Sequence, residues 1–117
     1  MPIDLDPDAF DEMVGRALDD IPDELARLVD NVVVLVEPEA PADDPDLLGL
    51  YEGLALTERT QYGMGELPDR IILYREPHLA QCETLDELRD EIHTTLVHEI
   101  AHFHGIDDAQ LHELGWA

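Results

Sequence analysis

Apolar residues recur at helical spacing in several stretches of this chain and as an unbroken, largely β-branched run in one. Phe10, Val14, Ala17 and Leu18 make a stripe that predicts a helix from Pro7 to about Asp19. Asp6 stands as its N-cap, Pro7 is tolerated in the first turn, and acidic residues lie at the positive end of the helix dipole. Pro22-Asp23-Glu24 opens a second, shorter helix to about Val29. Val32 to Val36 then reads as a central strand. Pro38 to Pro45 is rich in Pro, Asp and Ala and forms a loop. Leu48 to Tyr51 is a candidate short strand, Gly53, Gly63 and Gly65 mark turns, and Arg70 to Tyr74 is a further strand.

The longest periodic stretch starts at Thr84-Leu85-Asp86-Glu87, a capping box in which Glu87 can return a hydrogen bond to the Thr84 cap. Leu85, Leu88, Ile92, Leu96, Ile100 and Phe103 then repeat at three- and four-residue intervals. They predict a helix over 85–104 whose apolar side faces a sheet. A last short helix, Asp107 to about Leu114, brings Leu111, Leu114 and Trp116 back to the core. The expected architecture over residues 1–117 is one α+β domain. Its small mixed sheet has the N-terminal helices on one side and the long helix on the other.

What departs from a purely structural pattern is the polar content of that helix's C-terminal end. His98-Glu99-Ile100-Ala101-His102-Phe103-His104-Gly105-Ile106-Asp107-Asp108 reads H-E-x-x-H-x-x-G-x-x-D. Residues four apart on a helix are related by about 400° of rotation, so His98 and His102 project from one face within reach of a single ion. Glu99 cannot share their coordination direction, but it can reach a metal-bound water as a general base. Gly105 can take the left-handed conformation that ends a helix and turn Asp108 back as a third ligand. Asp107 competes for that role, and the spacing after Gly105 supports Asp108. Glu113 follows His102 too closely for a ligand on a separate helix and, with His112, reads as a solvated face. His93 and His104 read as surface or supporting residues. Imidazole ligands favour Zn²⁺ over the harder Mg²⁺ and Ca²⁺.

These residues resemble the Asp-zincins, whose signature H-E-x-x-H-x-x-G-x-x-D holds one catalytic zinc. Leu47-Leu48-Gly49-Leu50-Tyr51-Glu52-Gly53, Leu56-Thr57-Glu58-Arg59 and Leu67-Pro68-Asp69-Arg70-Ile71 are similar to segments of the bacterial minimal zincins, short metallopeptidase-like proteins. The resemblance runs from about residue 31 onward. It implies His98, His102 and Asp108 as ligands of one Zn²⁺, Glu99 as base, and an unidentified peptide or protein as substrate. It also implies a sheet above the active-site helix, with part of 51–66 as the edge that meets an extended substrate. Arg59, Tyr62, Arg70 and Tyr74 are candidate transition-state or substrate-positioning groups only through lying near the family-like segments, and each reads rather as structural. Unlike the metzincins, the chain carries Asp at position 108 and has no Met after Met64. Only residues 109–117 follow the motif, which supports the alternative of a catalytically weak or inactive metal-binding regulatory module. A purely structural zinc site would leave Glu99 without a role.

Composition narrows the partners. The formal net charge of −23, from 29 acidic against 6 basic residues, disfavours nucleic acid and anionic membranes and suits cations and basic peptides. Cys82 is the single cysteine and reads as a small, partly buried hydrophobe. With no internal disulfide possible and no signal-like N-terminus, a cytoplasmic location is expected, and a monomer is compatible with everything in the sequence.

Overall fold

A computed structural model describes residues 3, 5–29, 32–53 and 69–115. Helix α1 (Pro7–Asp20) starts as its sequence dictates, with the Asp6 carboxylate accepting from the Asp8 amide at 2.9 Å and Pro7 in the first turn. Phe10, Val14 and Ala17 form its buried stripe. It stops at Ile21, which precedes Pro22 and is extended, because a proline ring disfavours helical geometry in the residue before it. Helix α2 (Asp23–Ala26) buries Leu25 and runs into a 3-10 turn over Arg27–Val29.

Strands β1 (Val32–Glu37), β2 (Gly49–Glu52) and β3 (Asp69–Tyr74) form a mixed sheet in the order β1-β3-β2, parallel between β1 and β3 and antiparallel between β2 and β3. β3 is therefore the centre, and Ile71 and Leu73 are completely buried. The expectation that Val32 to Val36 is the central strand is corrected: among the described strands, β1 is an edge and β3 the centre. Its apolar run resembles a strand covered on both faces, yet Val33 and Leu35 are 41% and 40% exposed while Val32, Val34 and Val36 join the core.

Helix α3 (Arg75–Gln81), which hydrophobic periodicity does not reveal, follows β3 directly. No side chain caps it, and the Glu76 amide donates instead to the Pro38 carbonyl at 2.9 Å. Helix α4 (Leu85–Phe103) is capped by Thr84, whose hydroxyl accepts from the Glu87 amide at 3.1 Å. The reciprocal half of the expected box differs, because the Glu87 carboxylate accepts from the Thr84 hydroxyl at 3.3 Å. Leu88, Ile92, Leu96 and Ile100 are completely buried, whereas Leu85 and Phe103 at the two helix ends are about half-exposed. Helix α5 (Asp108–Leu114) anchors itself through Leu111 alone among its described apolar residues; Leu114 is exposed, and Trp116 lies outside the described residues.

The α+β class holds, but the two-sided arrangement does not. Phe10 and Val14 of α1 share one continuous core with Leu88, Ile92 and Leu96 of α4 and with Ile71 and Leu73 of β3. Both helices thus lie on the same face of the sheet. Two-residue alternation turns Val33, Leu35 and Leu50 to the other face, where they are partly exposed. Cys82 is almost fully buried in the core and its thiol pKa is raised, first by burial and then by Glu91 and Glu87. It behaves as the small hydrophobe expected.

Candidate metal and active site

The H-E-x-x-H segment forms the last turns of α4, and the local sequence explains how the chain leaves it. Gly105 takes φ +81°, a left-handed geometry that an L side chain opposes. Its amide donates to the His102 carbonyl at 3.1 Å, and the Ile106 amide donates to Ala101 at 2.8 Å. These two bonds are the Schellman pair that closes a helix C-terminus. The partly buried Ile106 packs against the core and fixes the exit direction.

Directly after this turn, Asp107 caps α5. Its carboxylate accepts from the Gln110 amide at 2.8 Å, while the Gln110 side chain accepts from the Asp107 amide at 2.9 Å. Asp107 is thereby committed to the helix end. Asp108, one residue on, extends toward α4, and its Oδ1 lies 2.8 Å from Nε2 of His102. His102 and Asp108 are 47% and 76% exposed, so their contact contributes at most about 1 kcal/mol to folding.

His98 and His102 present their rings on one face with centroids 5.5 Å apart and planes 30° apart. Two imidazoles on one tetrahedral ion, at zinc–nitrogen distances of about 2.0–2.1 Å, would have centroids about 5.2 Å apart. The histidine pair fits that requirement. The full set of three is not drawn together: among the described residues, no group of three His, Cys, Asp or Glu side chains is gathered to hold an ion. Two pairs are present instead, His98 beside His102 and His102 hydrogen-bonded to Asp108. Two ligand atoms on a tetrahedral zinc lie about 3.4 Å apart, so Asp108 would have to withdraw by about 0.6 Å. An exposed carboxylate at the start of a short helix can make that movement by side-chain rotation.

Glu99 faces β2 beside the histidines. The Tyr74 amide donates to the Leu48 carbonyl at 3.0 Å, which sets the antiparallel bonding phase, and two-residue alternation then points the Tyr51 amide away from β3. That amide donates to Oε1 of Glu99 at 3.2 Å. Burial raises the Glu99 pKa from its ordinary value; the Tyr51 hydrogen bond and then the His102 and His98 charges oppose the rise. The Tyr51 ring stacks on Phe103, with centroids 3.9 Å apart and planes 14° apart, and its hydroxyl donates to Asp69 at 3.0 Å. A side chain at Gly53 would collide with the Phe103 ring, its Cβ falling 2.5 Å from Cζ. β2 and the end of α4 are thus locked together around Glu99.

Tyr51 and the buried pair Thr95 and His78 are the supporting residues that sequence reasoning missed. Thr95 lies one turn before His98, and its hydroxyl is 3.0 Å from Nε2 of the completely buried His78. Nδ1 of His78 is 2.8 Å from the Tyr74 carbonyl and must donate to it, since a carbonyl only accepts. His78 and Thr95 stand 17 positions apart on different helices, a separation that carries no recognisable signal. His93, near Arg89 and Asp90, and the exposed His112 and Glu113 are not part of this arrangement. His104 caps α4, with its ring edge-on to Phe103. Arg70 pairs with Glu52 at 3.1 Å. Tyr74 is buried, and its pKa is raised by burial and then by Glu52 and Glu37. Neither lines the cleft beside Glu99. Arg59 and Tyr62 lie outside the described residues.

A helix carrying H-E-x-x-H under the edge of a mixed sheet, with an aspartate returned after a glycine turn, defines the zincin class. The family model of zincin-like metallopeptidases matches residues 29–116, and this chain belongs to that family. A solved structure of a conserved hypothetical protein from Thermo thermophilus is similar in fold. It is 24% identical, with a TM-score of 0.57 over 92% of this chain and 95% of the other. A comparison with curated proteins finds no match. Among the described residues, no helix is long and apolar enough to cross a membrane.

Proposed function

We propose that this protein is a zinc-dependent hydrolase of peptide or amide bonds, with His98, His102 and Asp108 as the ligands of one zinc ion and Glu99 as general base. The observation that carries this reading is the environment of Glu99. One carboxylate oxygen is held by the Tyr51 amide, and the carboxylate lies close enough to His98 and His102 for both to act on it electrostatically. Zinc, when bound, supplies Lewis acidity that polarises the substrate carbonyl and acidifies water toward neutrality. Glu99 accepts a proton from the attacking water and returns it to the leaving amine. The stacked Tyr51 and Phe103 rings keep β2 seated on α4 while the proton moves.

The test combines metal content with one conservative substitution. The purified chain is expected to contain about one zinc per molecule, and His102→Ala is expected to lose it. Glu99→Gln should retain zinc and fold while peptide hydrolysis falls by about 10²–10⁴-fold, the usual contribution of a general base. Unchanged zinc affinity in His102→Ala rules out the ligand assignment. Undiminished hydrolysis in Glu99→Gln rules out the base.

A further inference from the structure

We infer that the cleft adjoining Glu99 selects substrates with a cationic side chain, Arg or Lys, next to the bond to be cleaved. This rests on the hydrolase reading and names its substrate class. The cleft has a volume of about 340 Å³ and lies between the 44–49 segment and α4. His98 and Glu99 form one end of its wall, so a side chain seated in it extends from a backbone lying against the proposed base. The other ionisable groups of the wall are Asp44, Asp46 and Glu91, and no arginine reaches it among the described residues. The chain has no lysine. The described arginines with an ion-pair partner hold it elsewhere: Arg16 to Glu12, Arg70 to Glu52, Arg75 to Glu76 and Arg89 to Asp86.

The shape of the neighbouring surface supports the same ligand. Asp46 also lines a second depression of about 520 Å³, whose wall includes Ala40, Ala42, Pro45, Pro77 and Ala80 together with Glu39 and the Arg75-paired Glu76. A lining that mixes small apolar residues with carboxylates suits the methylene stem and charged end of Lys or Arg. Asp46 therefore stands between the two depressions, positioned to meet cationic residues of one extended peptide on either side. An acidic substrate side chain would meet the same three carboxylates with repulsion.

The test uses three labelled peptides identical except for Arg, Gln or Glu at one position, with binding read by fluorescence anisotropy on zinc-loaded Glu99→Gln protein. The Arg peptide is expected to bind about fivefold more tightly than the Gln peptide at low salt. That preference should shrink toward unity at about 1 M salt, where the screening length falls to about 3 Å. Asp46→Asn with Glu91→Gln should abolish the preference. The control pair Asp19→Asn with Glu24→Gln makes the same change in net charge on α1 and α2 and should preserve it. Equal loss in both double variants, no Arg preference, or no measurable binding of any peptide overturns the inference. Wild-type cleavage of the same peptides separates the two readings: cleavage without an Arg preference refutes the cleft selectivity alone, and an Arg preference in binding with no cleavage of any peptide refutes the hydrolase alone.

Discussion

His78 allows a stability prediction that is independent of catalysis. The ring is completely buried, edge-on to Phe10 at a centroid distance of 5.8 Å, and both nitrogens are engaged. Because Nδ1 donates to Tyr74, the neutral ring accepts at Nε2 from the Thr95 hydroxyl. Protonation reverses that second bond and requires the Thr95 hydroxyl to turn to the Glu91 carbonyl, 2.9 Å away. The hydrogen bonds therefore tolerate either state, and burial decides between them. It lowers the His78 pKa, against the Tyr74 hydrogen bond and the Glu91 charge, which favour the proton.

The sign follows from linkage. A histidine with a lowered folded-state pKa binds its proton preferentially in the unfolded chain. Its neutral form therefore stabilises the fold fully above the unfolded pKa of about 6.5, and this contribution is lost as pH falls through the interval below. The loss is at most about 1.4 kcal/mol per pH unit. His78→Leu removes the titration and leaves the Tyr74 carbonyl without its side-chain donor, at a cost of about 1–3 kcal/mol at pH 7.5. Urea denaturation of wild type and variant at pH 7.5, 6.5 and 5.5 measures the difference, and the comparison cancels the titration of the many surface carboxylates. The stability gap should narrow by up to about 1.4 kcal/mol between pH 7.5 and 5.5, close to 1 M in urea midpoint. A gap that stays constant or widens toward pH 5.5 refutes the burial argument.

Three further outcomes follow from local geometry. Gly105→Ala has no steric obstacle, since nothing lies within 4 Å of the added carbon, yet φ +81° should cost about 1–2 kcal/mol and weaken zinc binding by misdirecting Asp108; thermal denaturation and metal titration measure the two effects. Gly49→Ala should destabilise by about 1–3 kcal/mol in urea unfolding, because its Cβ would fall 2.8 Å from Thr95 Cγ2 and 3.2 Å from the Ile72 carbonyl oxygen. Asp107→Ala should lose about 1 kcal/mol of stability through the cap, while Asp108→Ala should leave the melting temperature nearly unchanged and reduce zinc affinity.

What the sequence makes legible is set by which interactions are local. The α1 cap, the α4 stripe and the Gly105 turn are written in residues within one or two turns of each other, and they stand where expected. The edge position of β1 among the described strands is hidden because an apolar run records apolar character but not the number of faces that are covered. α3 escapes detection because its start is stabilised by the distant Pro38 carbonyl rather than by a side-chain cap, and because Pro77 interrupts the pattern. The Tyr51 contact to Glu99 is a backbone donor 48 positions away, and a backbone amide has no sequence signature.

The same distinction separates two adjacent aspartates that composition treats alike. Asp107 accepts from a backbone amide within its own helix, so its role is fixed by a neighbour three residues away. Asp108 has the exposed His102 as its side-chain partner across the turn, in a contact too weak to account for its position by stability alone. The turn that brings it there requires a glycine in a left-handed conformation and two backbone hydrogen bonds. The glycine turn thus holds a carboxylate and an imidazole together at the surface, where their mutual attraction is worth little.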